Sequence, residues 1–142
     1  MDLKIKRFDK DLPLPEYKTV GAVAMDLSLR IGASIASHEV VRLPLNVAIK
    51  PPAGHFILLA ARSSLHKRGL VMQNGVGIFD EDYTGDNDEY QAVLYNFTDE
   101  PVAVERGERV AQIVVIPYAK VDLAEVERMD ELDRGGFGTT GI

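Results

Sequence analysis

The densest group of chemically active side chains lies in the stretch NGVGIFDEDYTGD, residues 74–86. Four carboxylates surround Tyr83 there, and glycines on both sides permit close backbone approach. Asp80 directly follows the apolar GIF, and a carboxylate at the edge of a buried strand can be rigid and partly desolvated, as a general base requires. An acidic hairpin with solvated carboxylates explains the same residues.

A second polar group follows the apolar run HFILLAA. Arg62, Ser63 and Ser64 would supply guanidinium, hydroxyl and backbone donors at a junction between a strand and a short helix, and such donors can cradle a phosphate. The alternative is an ordinary loop in which one of the serines caps the helix.

Two polar residues interrupt strands that are otherwise apolar. Asp26 in AVAMDLSLR is an edge or turn residue, or it partners an arginine or a hydrated Mg²⁺, because an unpaired buried carboxylate is costly. Gln112 in RVAQIVV is a similar anomaly that a structural hydrogen bond explains equally well. The three histidines share no metal-ligand spacing, and no cysteine is present, so any metal would need oxygen or imidazole ligands.

Length and composition indicate one globular domain: 142 residues, 46% hydrophobic and 27% charged. The net charge of −6 argues against sequence-independent binding of nucleic acid, and a polyanionic ligand would need focused cations or a divalent metal. No apolar run is long enough to span a membrane, and the N-terminal stretch is too charged for a signal peptide. We therefore expect a cytoplasmic protein, with which the lack of cysteine is compatible.

Short apolar runs of strand type alternate with turn signals, and no βαβ pattern appears, which favours a sandwich, barrel or jelly roll. We predict helix only in short pieces at 63–69 and 123–132. The predicted strands lie at 3–8, 40–50 with a break at Pro44, 55–62, 90–97 and 109–118, and the predicted turns at 50–54, 83–88, 98–101 and 105–108.

Five short motifs in chain order resemble those of the trimeric dUTPases, and they span about residues 21–141. They are Asp-Leu at 26–27, Arg-Ser-Ser-Leu at 62–65, Gly-x-x-Asp-x-Asp-Tyr-x-Gly at 77–85, Arg-x-Ala-Gln at 109–112, and Arg-Gly followed by Gly-Phe-Gly-Thr-Thr-Gly at 134–141. The resemblance implies an all-β jelly roll of the β-clip type over residues 1–124. It also implies a homotrimer in which a flexible C-terminal arm, residues 125–142, closes over a neighbouring subunit's site.

The implied activity is Mg²⁺-dependent hydrolysis of dUTP to dUMP and pyrophosphate, which limits uracil in DNA and supplies dUMP for thymidylate synthesis. By this resemblance Asp80 activates the water that attacks the α-phosphorus. Asp26 acts in the outer shell of an Mg²⁺ that the triphosphate and waters hold, without direct protein ligands. Gln112 lines the phosphate chain with Arg62, Ser63 and Ser64.

The remaining implied contacts surround the nucleoside and the tail. Tyr83 packs against the deoxyribose, and the tail orders over bound nucleotide as a lid. Uracil binds to the hairpin residues Asn74, Gly77, Ile78 and Phe79, largely through backbone groups. From the tail, Phe137 stacks on the uracil and Arg134 contacts the γ-phosphate. Further hydrogen bonds come from Gly138, Thr139 and Thr140.

The chain departs from the family's usual pattern in a few places. Phe79 stands where isoleucine is usual, Thr84 where arginine or glutamine is usual, and the loop 84–89 is longer than in common forms. In the tail, Arg134 stands closer than usual to Phe137. These departures concern the uracil pocket and the contact of Arg134 with the γ-phosphate.

Two alternatives share the predicted fold. A dCTP deaminase, including the bifunctional form that yields dUMP, would need a glutamate three residues before Asn96, where this chain has Val93, and an arginine where it has Lys67. A non-catalytic trimeric nucleotide-binding module would have no need of Asp80 as a base.

Overall fold

The computed structural model describes residues 1–139 and 141. In these residues the regular structure is almost entirely β. The elements are β1 (Lys4–Arg7), β2 (Met25–Ser28), β3 (Ala33–Ile35), β4 (Val40–Pro44), β5 (Val47–Lys50), β6 (His55–Ala61), a 3₁₀ helix (Leu65–Arg68), β7 (Leu70–Met72), β8 (Gly77–Phe79), β9 (Gln91–Asn96), β10 (Val102–Val104) and β11 (Arg109–Pro117).

All five predicted strand segments are confirmed, and the stretch 63–69 contains the short 3₁₀ helix. The predicted helix at 123–132 is wrong: these residues are exposed and form no helix. A short helix without an apolar partner is marginal in water, and nothing packs against this stretch. The strands β3, β7 and β10 escaped prediction because three residues are too few to show a period. No helix in the described part of the chain is long and apolar enough to cross a membrane.

The central sheet has the order β2-β11-β6-β8, and its neighbours are antiparallel. The middle strand β11 pairs Gln112 with Asp26 on one side and with Ala60 on the other. A register shift between Arg109 and Ala111 marks an irregularity where β11 begins its pairing with β2. This sheet therefore brings the two polar anomalies, Asp26 and Gln112, side by side.

A second sheet, β4-β9-β7, and the pairs β1-β5 and β10-β3 complete the fold. One apolar core receives side chains from all four sheets, as expected when alternate strand residues turn to a common interior. Its largest fully buried side chains are Tyr90, Leu27, Leu29, Ile35, Leu45, Ile49, Ile57, Leu59, Leu70, Leu94, Ile113 and Val47.

A partly buried ion pair between Arg30 and Glu89 ties the loop after Tyr83 to this core. Arg30 donates from Nε and Nη2 to the two carboxylate oxygens of Glu89, at 2.7 and 2.9 Å. Glu89 also accepts the backbone N–H of Asn46 at 3.0 Å. The hydrogen bond from Arg30 to Glu89 raises the pKa of the Arg30 guanidinium, against the opposing effect of burial. Glu89 thus has its charge matched by a fixed fork of donors, which a partly buried carboxylate needs.

We expect Arg30→Ala to lower the free energy of unfolding by about 2 kcal/mol, because Glu89 would stay in its pocket with a charge left unmatched. Arg42→Ala is the matched control, since Arg42 is exposed, and it should change stability by less than about 0.5 kcal/mol. Urea denaturation of the three proteins measures both effects. Equal stability of the two variants would contradict a stabilising role for the pair.

Candidate active site

Asp26 on β2 binds two arginines at once. Its Oδ1 lies 3.1 Å from Nε of Arg62, and its Oδ2 lies 3.2 Å from Nη1 of Arg109. Only 17% of the Asp26 side chain is exposed, so both guanidinium groups compensate a largely buried charge. Asp26 therefore lies on an edge strand, as one alternative expected, and it also partners arginine, as the other did.

Gln112 and the serines lie around the same arginine pair. Gln112 donates from Nε2 to the carbonyl oxygen of Ala61 at 3.0 Å, so it has the structural hydrogen bond considered above. Ser63 and Ser64 are exposed. Ser64 is the N-cap residue of the 3₁₀ helix, yet its hydroxyl makes no capping hydrogen bond. The capped-loop alternative is therefore not realised by Ser64.

The hairpin that ends in β8 is held close to β6. Gly77 pairs with Leu59, and a Cβ atom at Gly77 would lie 3.1 Å from the Leu59 Cβ and 3.3 Å from the Phe79 ring. This close approach accounts for a glycine at position 77. The Asn74 amide donates to the carbonyl oxygen of Val76 at 3.0 Å, which closes the tip of the hairpin.

Asp80 directly follows β8 and opens onto a cleft of about 900 Å³. The turn after it is fixed by the backbone, since the Tyr83 N–H donates to the Asp80 carbonyl oxygen at 3.2 Å. The side chain of Asp80 is exposed, so in the single chain the structure favours the alternative of a hairpin with solvated carboxylates, and the chain itself does not supply partial desolvation. The cleft is lined by Lys50, Pro51, Ala53, Phe56, Ile78, Asp80, Glu81, Asp82, Thr84, Tyr118 and Lys120.

Glu81, next to Asp80, is attached to two other elements. Its carboxylate accepts a hydrogen bond from the hydroxyl of Tyr118, which follows β11. It accepts a second one from the backbone N–H of Gly54 at 3.4 Å. The hydrogen bond from Tyr118 is the main reason that the pKa of Glu81 is lowered, and the same bond raises the pKa of Tyr118. This contact fixes the peptide that carries Asp80 to the β5–β6 turn and to the end of β11.

Sequence reasoning missed Arg109 and Tyr118 as parts of these clusters. Arg109 had a usable signal, because it opens the strand that carries Gln112 and β-strand neighbours of a buried carboxylate are natural counter-ions. Tyr118 had none, because its partner Glu81 lies 37 residues earlier in the chain.

The two clusters lie toward opposite ends of β6. Phe79 pairs with Ile57 near the start of β6, whereas Arg62 directly follows its end. Ile57 and Arg62 are five positions apart in extended chain, a span of about 17 Å. A single chain therefore does not bring Asp80 next to Arg62.

The tail makes no strand or helix in the described residues after β11. Arg134, Gly138 and Thr139 are exposed, and the Phe137 ring is fully exposed. Thr139 closes a local turn, with its hydroxyl accepting the Gly136 N–H at 2.7 Å. Thr140 lies outside the described residues. The aromatic ring at 137 thus has no packing partner among residues 1–139 and 141.

Among the described residues, no group of three or more histidine, aspartate or glutamate side chains is arranged to hold a metal ion. The carboxylate of Asp26 is held by two arginines and still has free lone pairs. Each of its oxygens accepts one arginine bond and can accept another from a metal-bound water. The donor set therefore fits an outer-shell role for Asp26.

Comparison with known proteins gave consistent matches. The dUTPase family model matches residues 10–141. The deoxyuridine 5′-triphosphate nucleotidohydrolase of Dictyoglomus turgidum is 37% identical, over 97% of each chain. The crystal structure of dUTPase from Streptococcus mutans superimposes with a TM-score of 0.76 at 32% identity, covering 83% of this chain and 98% of that one.

A more distant structure has the same fold. The dUTPase of Staphylococcus bacteriophage 80alpha, solved with dUPNHPP, is 22% identical and superimposes with a TM-score of 0.86 over 99% of both chains. The predicted all-β fold of the jelly-roll type is thereby confirmed.

The contact between Glu81 and Tyr118 predicts a pH effect. Because the folded-state pKa of Glu81 is lowered, the contact stabilises the turn above the ordinary glutamate pKa, and that contribution is lost as pH falls through the folded-state value. Tyr118→Phe should raise the pKa of Glu81, as followed by NMR of its side-chain carboxyl. Tyr95→Phe, which removes a hydroxyl that contacts His38 instead, is the control. An unchanged Glu81 titration in Tyr118→Phe would disprove the assignment.

Proposed function

The chain belongs to the dUTPase family and is a dUTP diphosphatase, and we propose that Asp80 is the general base of its reaction. The observation that carries this proposal is the position of Asp80. It directly follows a strand anchored on β6, its turn is fixed by a backbone hydrogen bond, and its carboxylate faces a cleft. A base held in this way can aim a water molecule without reorganising.

In the proposed step, Asp80 removes a proton from a water molecule whose oxygen forms a bond to the α-phosphorus. The bond between that phosphorus and the oxygen bridging to the β-phosphorus breaks, which gives dUMP and pyrophosphate. The proton stays on Asp80 until solvent removes it. Alignment of water, phosphorus and leaving oxygen supplies much of the rate in reactions of this type.

The proposed phosphate-binding group consists of Arg62, Ser63, Ser64 and Gln112. Arg62 contacts Asp26 through Nε. The Nη1 of Arg62 donates to the carbonyl oxygen of Arg109 at 3.2 Å. In the proposal the Nη2 group of Arg62 therefore donates to a phosphate oxygen, and Asp26 orients the Arg62 guanidinium. The two exposed serine hydroxyls would donate to the same phosphate chain.

We propose Mg²⁺ as the metal, held by the triphosphate and by waters. It would neutralise phosphate charge, which suits a chain whose net charge is −6. Asp26 would hold one of the metal-bound waters through an oxygen lone pair, while Arg62 and Arg109 keep its carboxylate in place.

We also propose that the active unit is a homotrimer with shared sites. Support comes from the separation of about 17 Å along β6 between the level of Asp80 and that of Arg62. The Phe137 ring supports it as well, because the described residues of its own chain give this aromatic side chain nothing to pack against. A second chain that presents its Arg62 group to this cleft would supply the missing half.

The uracil edge would be read by the backbone of the hairpin through Gly77, Ile78 and Phe79. The Asn74 amide donates to Val76, so in this proposal it shapes the hairpin. The arm 125–142 would close over a neighbouring site, with Phe137 on the base and hydrogen bonds from Gly138, Thr139 and Thr140. Arg134 would meet the γ-phosphate.

The proposed biological role is to remove dUTP, which limits uracil in DNA, and to supply dUMP for thymidylate synthesis in the cytoplasm. The cysteine-free composition is compatible with that reducing compartment.

The activity test compares wild type with Asp80→Asn on dUTP, dCTP, dTTP and UTP in the presence of Mg²⁺. Wild type should release pyrophosphate from dUTP alone, and ammonia from dCTP would contradict the proposal. Asp80→Asn keeps the shape of the side chain but loses the base, so dUTP turnover should fall by at least about a hundredfold while binding is retained. Turnover that survives in Asp80→Asn would exclude this residue as the base.

Mixed oligomers test whether sites are shared. Asp80→Asn and Arg62→Gln should each be inactive alone, but a one-to-one mixed assembly should recover about a quarter of wild-type activity if these residues come from different chains. The matched control mixes Asp80→Asn with the double variant Asp80→Asn/Arg62→Gln, in which no site has the base. Failure of the first mixture to exceed this control would show that each chain builds its own site.

A further inference from the structure

We propose that Phe79 and Tyr90 form an aromatic support that fixes the ring of Tyr83 and so sets the preference for deoxyribose over ribose. This inference rests on the proposed function, in which Tyr83 packs against the sugar. The side chains of Phe79 and Tyr90 are positioning groups, because they act through Tyr83, whereas the proposed uracil contact of Phe79 uses its backbone.

The two supporting rings are closely stacked. The ring centroids of Phe79 and Tyr90 lie 3.6 Å apart, and their planes differ by 7°. Tyr90 is fully buried, and its backbone is fixed on both sides: its N–H donates to Val47 and its carbonyl oxygen accepts from Leu45, each at 2.8 Å. Tyr90 therefore provides a rigid base on which the less buried Phe79 ring rests.

The hydroxyl of Tyr90 contributes nothing visible to this arrangement. Within the described residues it is the buried side-chain polar atom that lacks a hydrogen-bond partner. Burial also raises the pKa of this hydroxyl, which keeps it neutral. An unpaired buried hydroxyl is a cost, so the useful part of Tyr90 is its ring face.

The Phe79 ring lies next to both Tyr90 and Tyr83 and connects the two. The missing side chain of Gly77 makes room for the Phe79 ring, since a Cβ there would lie 3.3 Å from Cε2. The Tyr83 ring lies 5.7 Å from that of Phe79 at 37°, and 6.2 Å from that of Tyr90 at 32°. Tilted rings at these separations attract each other, so Tyr83 is held from one side.

Tyr83 itself remains accessible to a ligand, because 37% of the residue is exposed. A ring supported from behind can exclude a 2′-hydroxyl only if it cannot retreat. Displacement by about 1 Å is enough to change a rate strongly in a closely fitted site. The rigidity of the stack thus determines how strictly ribose is rejected.

The test compares Phe79→Leu and Tyr90→Phe with wild type, using kcat/KM for dUTP, UTP and dCTP. Phe79→Leu keeps an apolar side chain but loses the flat face, so the preference for dUTP over UTP should fall by about tenfold. Its preference for dUTP over dCTP should be unchanged, because the base is read by the hairpin backbone. Tyr90→Phe keeps the stack and should retain both preferences.

Phe97→Leu is the control for the substitution itself, since Phe97 lies beyond β9 and is 44% exposed. A thermal melt of each variant identifies losses of folding, and Phe79→Met replaces Phe79→Leu if the latter does not fold. Retained sugar preference in a folded Phe79 variant, or equal loss of sugar and base preference, would overturn the proposal. Wild type that fails to hydrolyse dUTP would instead overturn the function on which it rests.

Discussion

The antiparallel pairing of β11 with β2 and β6 is the constraint on which the polar architecture depends. It places Gln112 between Asp26 and the end of β6, and it leads directly into Tyr118, the partner of Glu81. One continuous strand therefore contributes to both polar clusters, one near its start and the other just after its end. A shift of register by one residue would turn Gln112 away from Asp26 and expose the apolar side chains that alternate with it.

The same pairing keeps the two clusters apart. Strand β6 runs from the level of the Asp80 hairpin to Arg62, and a strand cannot bend back within a few residues to bring its own ends together. The rigidity that orients each group is therefore also what prevents one chain from completing the proposed site. In the proposed trimer, association between chains is therefore part of the chemistry.

The β-rich fold was predicted well from the sequence, because the apolar runs of β6 and β11 have the length and the residue types of strands and are bounded by turn signals. Three-residue strands are defined by their partners and leave no local period. The helix predicted at 123–132 was wrong because a short helix is marginal in water unless it packs on another surface, and these residues are exposed. The sequence left the exposure of Asp80 open between two alternatives, since burial depends on what lies across the cleft.

The shared carboxylate of Asp26 has a consequence for how this protein can change over evolutionary time. Loss of Asp26 would leave Arg62 and Arg109 facing each other without a counter-charge, and loss of either arginine would leave the carboxylate to the other. The effects of substitutions at the three positions are therefore strongly non-additive. Most single substitutions at these positions are therefore expected to be selected against, and the three residues are expected to be inherited as a set.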